Sequence, residues 1–296
     1  MLAGCGDGEE ELVMSMFSEK PAETKLLLTL LTFGVTLGGS IGVCALTGEA
    51  GDFFGGASWS WETAAAAAVG ALASGPLVAL YAAMWMPSAR AAFPAVDSRQ
   101  NGVAGTLRPI LNNLSWAQAA AVCVLDVSST VALQLPALQG ALAKSFGLYA
   151  TFLQDKGVPV PAGVPEAAAL ASTAALWGAA FYAYYAATAE EVEVVDTAVA
   201  NADRYYRLVA MGMASRSGDA EWEAALFKAA AAQWLSEKKA NSSLNALLQI
   251  FEVVFLGMLW RATGNLAAPL TAALLANAVD FACVYRSMPR TEDSQH

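Results

Sequence analysis

The fold is decided by residues 244–285, which read LNALLQIFEVVFLGMLWRATGNLAAPLTAALLANAVDFACVY. Two apolar stretches, Ser243–Arg261 and Leu266–Tyr285, are separated only by the four residues at 262–265. A helix needs about 20 mostly apolar residues to cross the core of a bilayer, and both stretches are close to that length. Because the connector is so short, the second helix must run back beside the first. The sequence therefore predicts a transmembrane helical hairpin.

Four further stretches have the same character, so the sequence predicts an all-α, polytopic transmembrane bundle of six spans. The chain of 296 residues is 56% hydrophobic and 14% charged, whereas a soluble domain carries about 25% charged residues. This composition excludes an ordinary soluble enzyme and a disordered chain. The net charge of -10 excludes a surface that binds nucleic acid. The four additional predicted spans are Leu26–Leu46, Thr63–Met86, Trp116–Pro136 and Ala167–Ala189.

The distribution of lysine and arginine predicts the orientation of the bundle. If the six spans alternate in direction and the N-terminus lies inside, thirteen of the 16 basic residues fall on the inner side. Positive residues concentrate on the side from which helices are inserted. Both termini are therefore predicted on the inner face, which is stromal or cytoplasmic.

The spans divide the chain into five regions. These are a polar tail (1–25), a four-span region (26–189), a polar inner-face segment (190–242), the hairpin (243–285) and a second polar tail (286–296). Within the four-span region, residues 137–165 are predicted to form an interfacial segment. There Leu138–Leu153 is too short to cross, and the prolines that follow it break helices.

The polar inner-face segment contains a predicted amphipathic helix at Ala220–Lys239. Its apolar stripe repeats at a spacing of four residues, which places the stripe on one helix face. The helix is expected either at the membrane interface or against the inner surface of a partner protein. The residues of this stripe are Trp222, Leu226, Ala230 and Trp234.

A tandem glycine pattern marks one face of the first predicted span. Gly34, Gly38 and Gly42 repeat at four-residue spacing. Glycines on one face let a second helix approach closely, with dispersion contacts and weak Cα–H···O bonds. Two interpretations follow: packing within the chain, or a docking face for another subunit, a pigment or a lipid.

Carboxylates inside the predicted spans are the main candidates for a functional site. Asp126, Glu252 and Asp280 each lie in an apolar stretch, where an ionisable group usually faces the bundle and has a partner. Gln249 precedes Glu252 by three residues and Asn277 precedes Asp280 by three, so each pair shares a helix face. In a packed hairpin these four residues form one polar cluster.

The cluster has three interpretations: hydrogen bonding between neutral acids, a path for ions or protons, or ligation of a cofactor magnesium. Because no Lys or Arg lies at the middle depth of a predicted span, the sequence favours neutral acids. An oxygen donor is sufficient to bind the magnesium of a chlorophyll. Candidate donors inside the spans are Gln118, Gln134, Gln249, Glu252 and Asn277. No catalytic metal is expected, because the one histidine is His296 at the end of the chain.

The hairpin also resembles the closing motif of the CAAX-protease and bacteriocin-processing (Abi) membrane family. In that family a Thr-Gly-Asn/Ser-Leu turn is followed by a proline, a histidine four residues later and Asn or Asp four residues after that. The matching residues are Gly257, Thr263, Gly264, Asn265, Leu266, Pro269 and Asn277, but Ala273 occupies the histidine position.

The other catalytic elements of the family are also incomplete. Glu190 and Glu191 match its glutamate pair, but Val195 stands at the arginine position. Phe227 is followed four residues later by Ala231 rather than by histidine. A water nucleophile needs a base tuned to the working pH, and the family's electrophilic partners are missing. The resemblance therefore implies a related helical bundle that is not an enzyme.

Three functions follow from these observations. We favour an accessory or scaffold subunit of a multi-subunit membrane complex. Because the resemblance implies relatives in photosynthetic plastids, a photosystem assembly of the thylakoid is the expected place. Such a subunit would contact membrane lipid and other membrane proteins, with sparse chlorophyll, carotenoid or structural lipid. The alternative is a small transporter or ion-conducting protein that uses Asp126, Glu252 and Asp280, and an active intramembrane peptidase ranks third.

Overall fold

The computed structural model describes residues 22–47, 60–212 and 217–288, and these residues form helices and short connections without a strand. The predicted all-α fold is confirmed. The ends of both polar tails (1–21 and 289–296), with His296, lie outside the described residues, as do residues 48–59 and 213–216.

The described helices follow one another in chain order with short connections. A π-helical segment, Leu133–Gly140, joins the helix Trp116–Ala132 to the helix Ala141–Asp155. The helices are α1 (Ala22–Thr47), α2 (Trp61–Ala73), α3 (Gly75–Met84), α4 (Pro87–Ala92), α5 (Pro94–Leu111), α6 (Trp116–Ala132), α7 (Ala141–Asp155), α8 (Val164–Tyr185), α9 (Ala189–Gly212), α10 (Ser217–Thr263) and α11 (Ala267–Ser287).

The lengths and compositions of these helices fit an integral membrane protein. Among the residues described, four helices can cross a membrane: Ala22–Leu46, Trp116–Asp155, Trp222–Thr263 and Ala267–Ser287. The bent pair of α2 and α3 makes a fifth. The predicted count of six is not confirmed. The helix α8, which lies at the predicted span Ala167–Ala189, is not among these candidates, because it is rich in weakly apolar alanine and tyrosine. The side on which the termini lie stays a prediction.

The predicted end of a span at Pro136 is wrong. The helix that begins at Trp116 runs on to Asp155, so Leu138–Leu153 is a continuation of it rather than a separate interfacial helix. Proline lacks the N–H that an α-helix needs, and the wider turn of a π-helix accommodates the interruption. Pro136 lies inside that π-helical segment.

The predicted separation of the amphipathic helix from the hairpin is also wrong. Ala220–Lys239 and Ser243–Arg261 belong to one helix, α10, which has 47 residues. The sequence contains no glycine or proline between residues 219 and 256, so nothing in it ends the helix there.

The predicted span Thr63–Met86 is broken in the middle. α2 ends at Ala73, α3 begins at Gly75, and the two axes differ by 43°. Pro76 stands in the first turn of α3, where its missing N–H costs least. Gly70 of α2 lies so close to α11 that an added Cβ would collide with the backbone of Ala268. The break and this close crossing place α3 against α11.

The turn of the hairpin lies at the predicted connector. α10 ends at Thr263, and Gly264 adopts a positive φ of 61°, a conformation that glycine takes without a steric penalty. Asn265 then accepts the N–H of Ala267 at 2.9 Å and donates to the hydroxyl of Thr63 at 3.1 Å. These contacts fasten the turn to the start of α2.

Candidate functional site

A partly open cavity of about 360 Å³ lies between α3, α5, α6, α8, α10 and α11. Its wall combines apolar side chains with carboxylates, amides, hydroxyls and one guanidinium. Four of the five predicted magnesium ligands line it: Gln134, Gln249, Glu252 and Asn277. The structure therefore brings together residues that lie far apart in the sequence.

Glu252 is buried and is the centre of one hydrogen-bond network in this wall. Its Oε2 accepts the hydroxyl of Tyr81 at 2.9 Å and the amide of Gln249 at 3.2 Å. Its Oε1 accepts the amide of Asn277 at 3.4 Å. All three partners are uncharged donors, so they orient the carboxylate without neutralising it.

Asp280 belongs to a neighbouring buried ion pair with Arg99. The guanidinium approaches Asp280 Oδ2 at 3.3 Å, and both side chains are 8% exposed. The indole N–H of Trp85 donates to Asp280 Oδ1 at 2.6 Å. The Arg99 guanidinium also lies 5.3 Å from the ring centre of Tyr81, which links this pair to the Glu252 network.

The expectation that no basic side chain reaches the acids is therefore wrong. Arg99 lies between the predicted spans Thr63–Met86 and Trp116–Pro136, but in the structure it belongs to α5, which packs against α10 and α11. Lys25 is also fully buried, and its ammonium donates to the carbonyls of Pro109 and Asn112 at 2.7 and 2.9 Å. The predicted cluster of four divides into Glu252 with its amides and Asp280 with Arg99.

Sequence reasoning missed Tyr81, Trp85 and Arg99. The two aromatic residues look like ordinary span residues, and nothing local distinguishes them. Arg99 had a usable signal: apolar residues recur at helical spacings on its own face of the stretch that forms α5, which is typical of a helix that packs on a core. These residues are Val96, Val103, Leu107 and Leu111.

Asp126 lines the same cavity and differs from the other acids. Its side chain is exposed, in contrast to the buried Glu252 and Asp280. Across residues 22–47, 60–212 and 217–288, no hydrogen bond or ion pair to its carboxylate is present, although Ser129 donates to its backbone carbonyl at 2.9 Å. Asp126 is therefore a carboxylate that the fold leaves open to whatever fills the cavity.

Gln118 lies apart from the cavity and has a structural role. Its Oε1 accepts the N–H of Ser115 at 2.8 Å, and its own N–H donates to the Ser115 hydroxyl at 3.3 Å. This reciprocal pair is a capping box at the start of α6. The side-chain oxygen of Gln118, which was predicted to bind magnesium, therefore accepts a hydrogen bond that caps α6.

The glycine face of α1 is open within the described chain. A Cβ added at Gly34, Gly38 or Gly42 meets no atom within 4 Å. α1 packs against α6 and the π-helical segment through other positions. Among the described residues, these glycines therefore do not serve packing inside the chain.

The positions that correspond to the resembled family's catalytic residues lie in different places. Ala273 is buried in the cavity wall, beside the network around Glu252. Glu190 and Glu191 lie in the first turn of α9, outside that wall. Glu191 accepts from Lys238 at 3.0 Å and from the N–H of Thr188 at 2.7 Å. Glu191 thus caps α9 and ties it to α10.

Neither metals nor known proteins identify the site. In the portion of the chain described, no group of three or more His, Cys, Asp or Glu residues is placed to hold a metal ion. No protein-family model matches the chain, and no curated protein and no solved structure matches it.

Proposed function

We propose that the chain is a non-catalytic, integral membrane accessory subunit that docks on other membrane-protein subunits through α1. The open glycine face carries this proposal. Gly34, Gly38 and Gly42 form a flat strip on which a neighbouring helix can pack at short range. Only 6% of the most apolar stretch of α1 is buried, so the other described residues leave this helix accessible.

The proposed setting is a plastid thylakoid membrane, and within it a photosystem assembly. This placement is supported by the resemblance of residues 244–285 to the CAAX-protease and Abi family, which has non-protease relatives in plastids. Chlorophyll, carotenoid or structural lipid would bind on the outer helix faces. The cavity of about 360 Å³ is smaller than a tetrapyrrole, so its amides do not suit the magnesium of a chlorophyll.

The absence of peptidase activity is part of the same proposal. Ala273 offers no base or electrophile where the resembled family has histidine, and Glu191 is engaged with Lys238 away from the cavity. A prenylated peptide incubated with the purified, metal-loaded chain should stay intact. Cleavage that disappears in the Glu190→Ala or Glu191→Ala variant would refute the proposal.

The docking role is tested by native-gel separation of mildly solubilised membranes that contain either the wild-type chain or Gly38→Leu. The wild-type chain should migrate with a large complex, and Gly38→Leu should migrate at lower mass because leucine fills the flat strip. Gly105→Leu is the matched control, since Gly105 is also open but lies on α5. Migration of the wild-type chain alone, or loss of the complex in both variants, would contradict the proposal.

Transport or ion conduction is the second candidate, and the cavity is the observation that favours it. Three carboxylates, Asp126, Glu252 and Asp280, line a partly open space inside the bundle. Ionisable residues inside membrane bundles often mark substrate or ion paths. Cation or proton flux in proteoliposomes that is lost in Glu252→Gln would support this function, and absence of flux would count against it.

A further inference from the structure

We propose that the cavity binds a small organic cation that also carries a hydrogen-bonding oxygen, with choline as a representative of this chemical class. The inference deepens the second candidate function by naming its ligand class. It requires only binding, and it is independent of docking through α1.

The charges in the cavity wall favour a cation. Arg99 is the only basic side chain among its lining residues, and it already pairs with Asp280. Glu252 is oriented by three neutral donors, and Asp126 has no hydrogen-bonding or ionic partner in the described ranges. Arg99 is paired with Asp280, and in the described ranges neither Glu252 nor Asp126 has an ion-pair partner of its own. A bound cation would supply one.

The aromatic side of the cavity favours an organic cation over a bare metal ion. Phe181 and Tyr185 of α8 lie in the wall with ring centres 6.2 Å apart and planes tilted by 42°, and Phe281 of α11 also lines the space. Aromatic faces attract ammonium and alkylated ammonium groups. These groups need no coordinating oxygen or nitrogen ligands. A divalent metal prefers several charged oxygen ligands at short range, and among the described residues no three or more His, Cys, Asp or Glu side chains are grouped to hold one.

An unpaired donor defines the other end of the ligand. Arg99 is more than nine-tenths buried and lines the cavity, yet its Nε has no hydrogen-bond partner within the described residues. Its terminal nitrogens are used, one by Asp280 and the other by the side-chain carbonyl of Gln100 at 3.3 Å. A buried donor left unpaired is destabilising, so an acceptor oxygen is expected beside it. A hydroxyl or carbonyl on the ligand meets this need.

The size of the cavity fits a ligand of this class. A volume of about 360 Å³ is at the lower end of small-molecule sites, which span about 300–1,000 Å³. A trimethylammonium group can lie against the aromatic wall while its oxygen reaches toward Arg99. Lipids and pigments are too large to enter whole.

Calorimetric titration of the full chain in lipid nanodiscs tests the proposal with three probes. Choline should bind saturably. Its uncharged isostere 3,3-dimethylbutan-1-ol should bind at least about tenfold more weakly, because it lacks the charge that faces the carboxylates. Sodium chloride at matched ionic strength should give no saturable signal. Equal binding of choline and the alcohol, no binding of choline, or saturation by sodium alone would each overturn the inference.

Charge-neutralising variants locate the site. Asp126→Asn removes no hydrogen bond present in the described ranges, so the fold should persist while choline affinity falls about tenfold or more. Glu252→Gln should have a similar effect. Asp155→Asn is the matched control, because Asp155 is an exposed acid that does not line the cavity. Equal loss in Asp126→Asn and Asp155→Asn would refute the proposed site.

The outcome of the choline titration does not depend on the outcome of the docking test. A chain that migrates alone on native gels can still bind choline through Asp126 and Glu252, and a docked chain can lack choline binding. Flux measurements with choline would then show whether the bound cation crosses the membrane.

Discussion

The buried Arg99–Asp280 pair should contribute more to stability than the closer, exposed Arg90–Asp97 pair. The first pair is separated by 3.3 Å with both side chains 8% exposed. The second pair is separated by 2.6 Å, but its side chains are 31% and 43% exposed. Distance alone ranks the exposed pair first. Burial reverses this order, because water solvates and screens the exposed charges whether or not they pair.

The expected magnitudes follow from what each substitution leaves behind. Arg99→Met leaves Asp280 buried with only the indole N–H of Trp85, and removing one partner of a buried pair costs about 3–5 kcal/mol. The lower end applies, since 3.3 Å exceeds the separation of about 2.7–2.9 Å in strong charge-assisted bonds and Trp85 stays in place. Arg90→Met leaves an exposed Asp97 in water and should cost about 1 kcal/mol or less.

Reversible unfolding in mixed micelles, followed by circular dichroism, measures these free energies. The double variant Arg99→Met/Asp280→Asn completes a double-mutant cycle. It leaves no buried charge, so it should regain most of the stability that Arg99→Met loses. A loss in Arg99→Met no larger than that in Arg90→Met would show that burial does not decide the ranking. Additive losses in the double variant would show that Arg99 and Asp280 do not interact.

Two further substitutions test how the helices pack. Gly70→Ala should cost about 1–3 kcal/mol, because its methyl group collides with the Ala268 backbone, whereas Gly105→Ala should be neutral or slightly stabilising, because that position is open. Equal unfolding free energies of these two variants would contradict the close crossing of α2 and α11. Asn265→Ala should cost about 1–2 kcal/mol, because it removes the hydrogen bonds to Ala267 and Thr63. The control is Asn201→Ala, on an exposed helix face, and an equal loss of stability in both variants would argue against this turn.

Local sequence signals were enough to predict the all-α class and the hairpin turn. The connector at 262–265 contains Gly264, whose positive φ ends α10, and Asn265, which accepts the first N–H of α11. Both residue types are typical of helix ends. The all-α class could be predicted from composition, because apolar content and span length depend on the residues themselves rather than on their distant partners.

Proline gave the wrong signal at one position and an incomplete one at another. Pro136 was expected to end a helix, but a π-helical turn absorbs it and the helix continues. Pro76 interrupts the predicted span Thr63–Met86, yet the 43° bend it accompanies depends on how α2 and α3 pack on α11. A missing N–H limits the local hydrogen bonds, while tertiary packing selects which of several adjustments is made.

The candidate site was only half predictable because its partners come from distant parts of the chain. The spacing of Gln249 with Glu252 identified one acid and its amide neighbour from a single helix face. Nothing local connects Arg99 with Asp280, 181 residues later, or Tyr81 with Glu252, 171 residues later. An arginine in a short polar stretch is ordinarily exposed, and only the packing of α5 on α10 and α11 buries this one.

The cavity owes its shape to two departures from regular α-helix. The bend after Ala73 redirects α3, a helix of ten residues and about 15 Å in length, so that 43° moves its far end by about 10 Å relative to a straight continuation of α2. That end carries Tyr81 and Trp85, which reach Glu252 and Asp280. The π-helical segment supplies Gln134 to the same wall. If α3 continued straight from α2, its far end would be displaced by that distance, and Glu252 and Asp280 would lose the donors Tyr81 and Trp85.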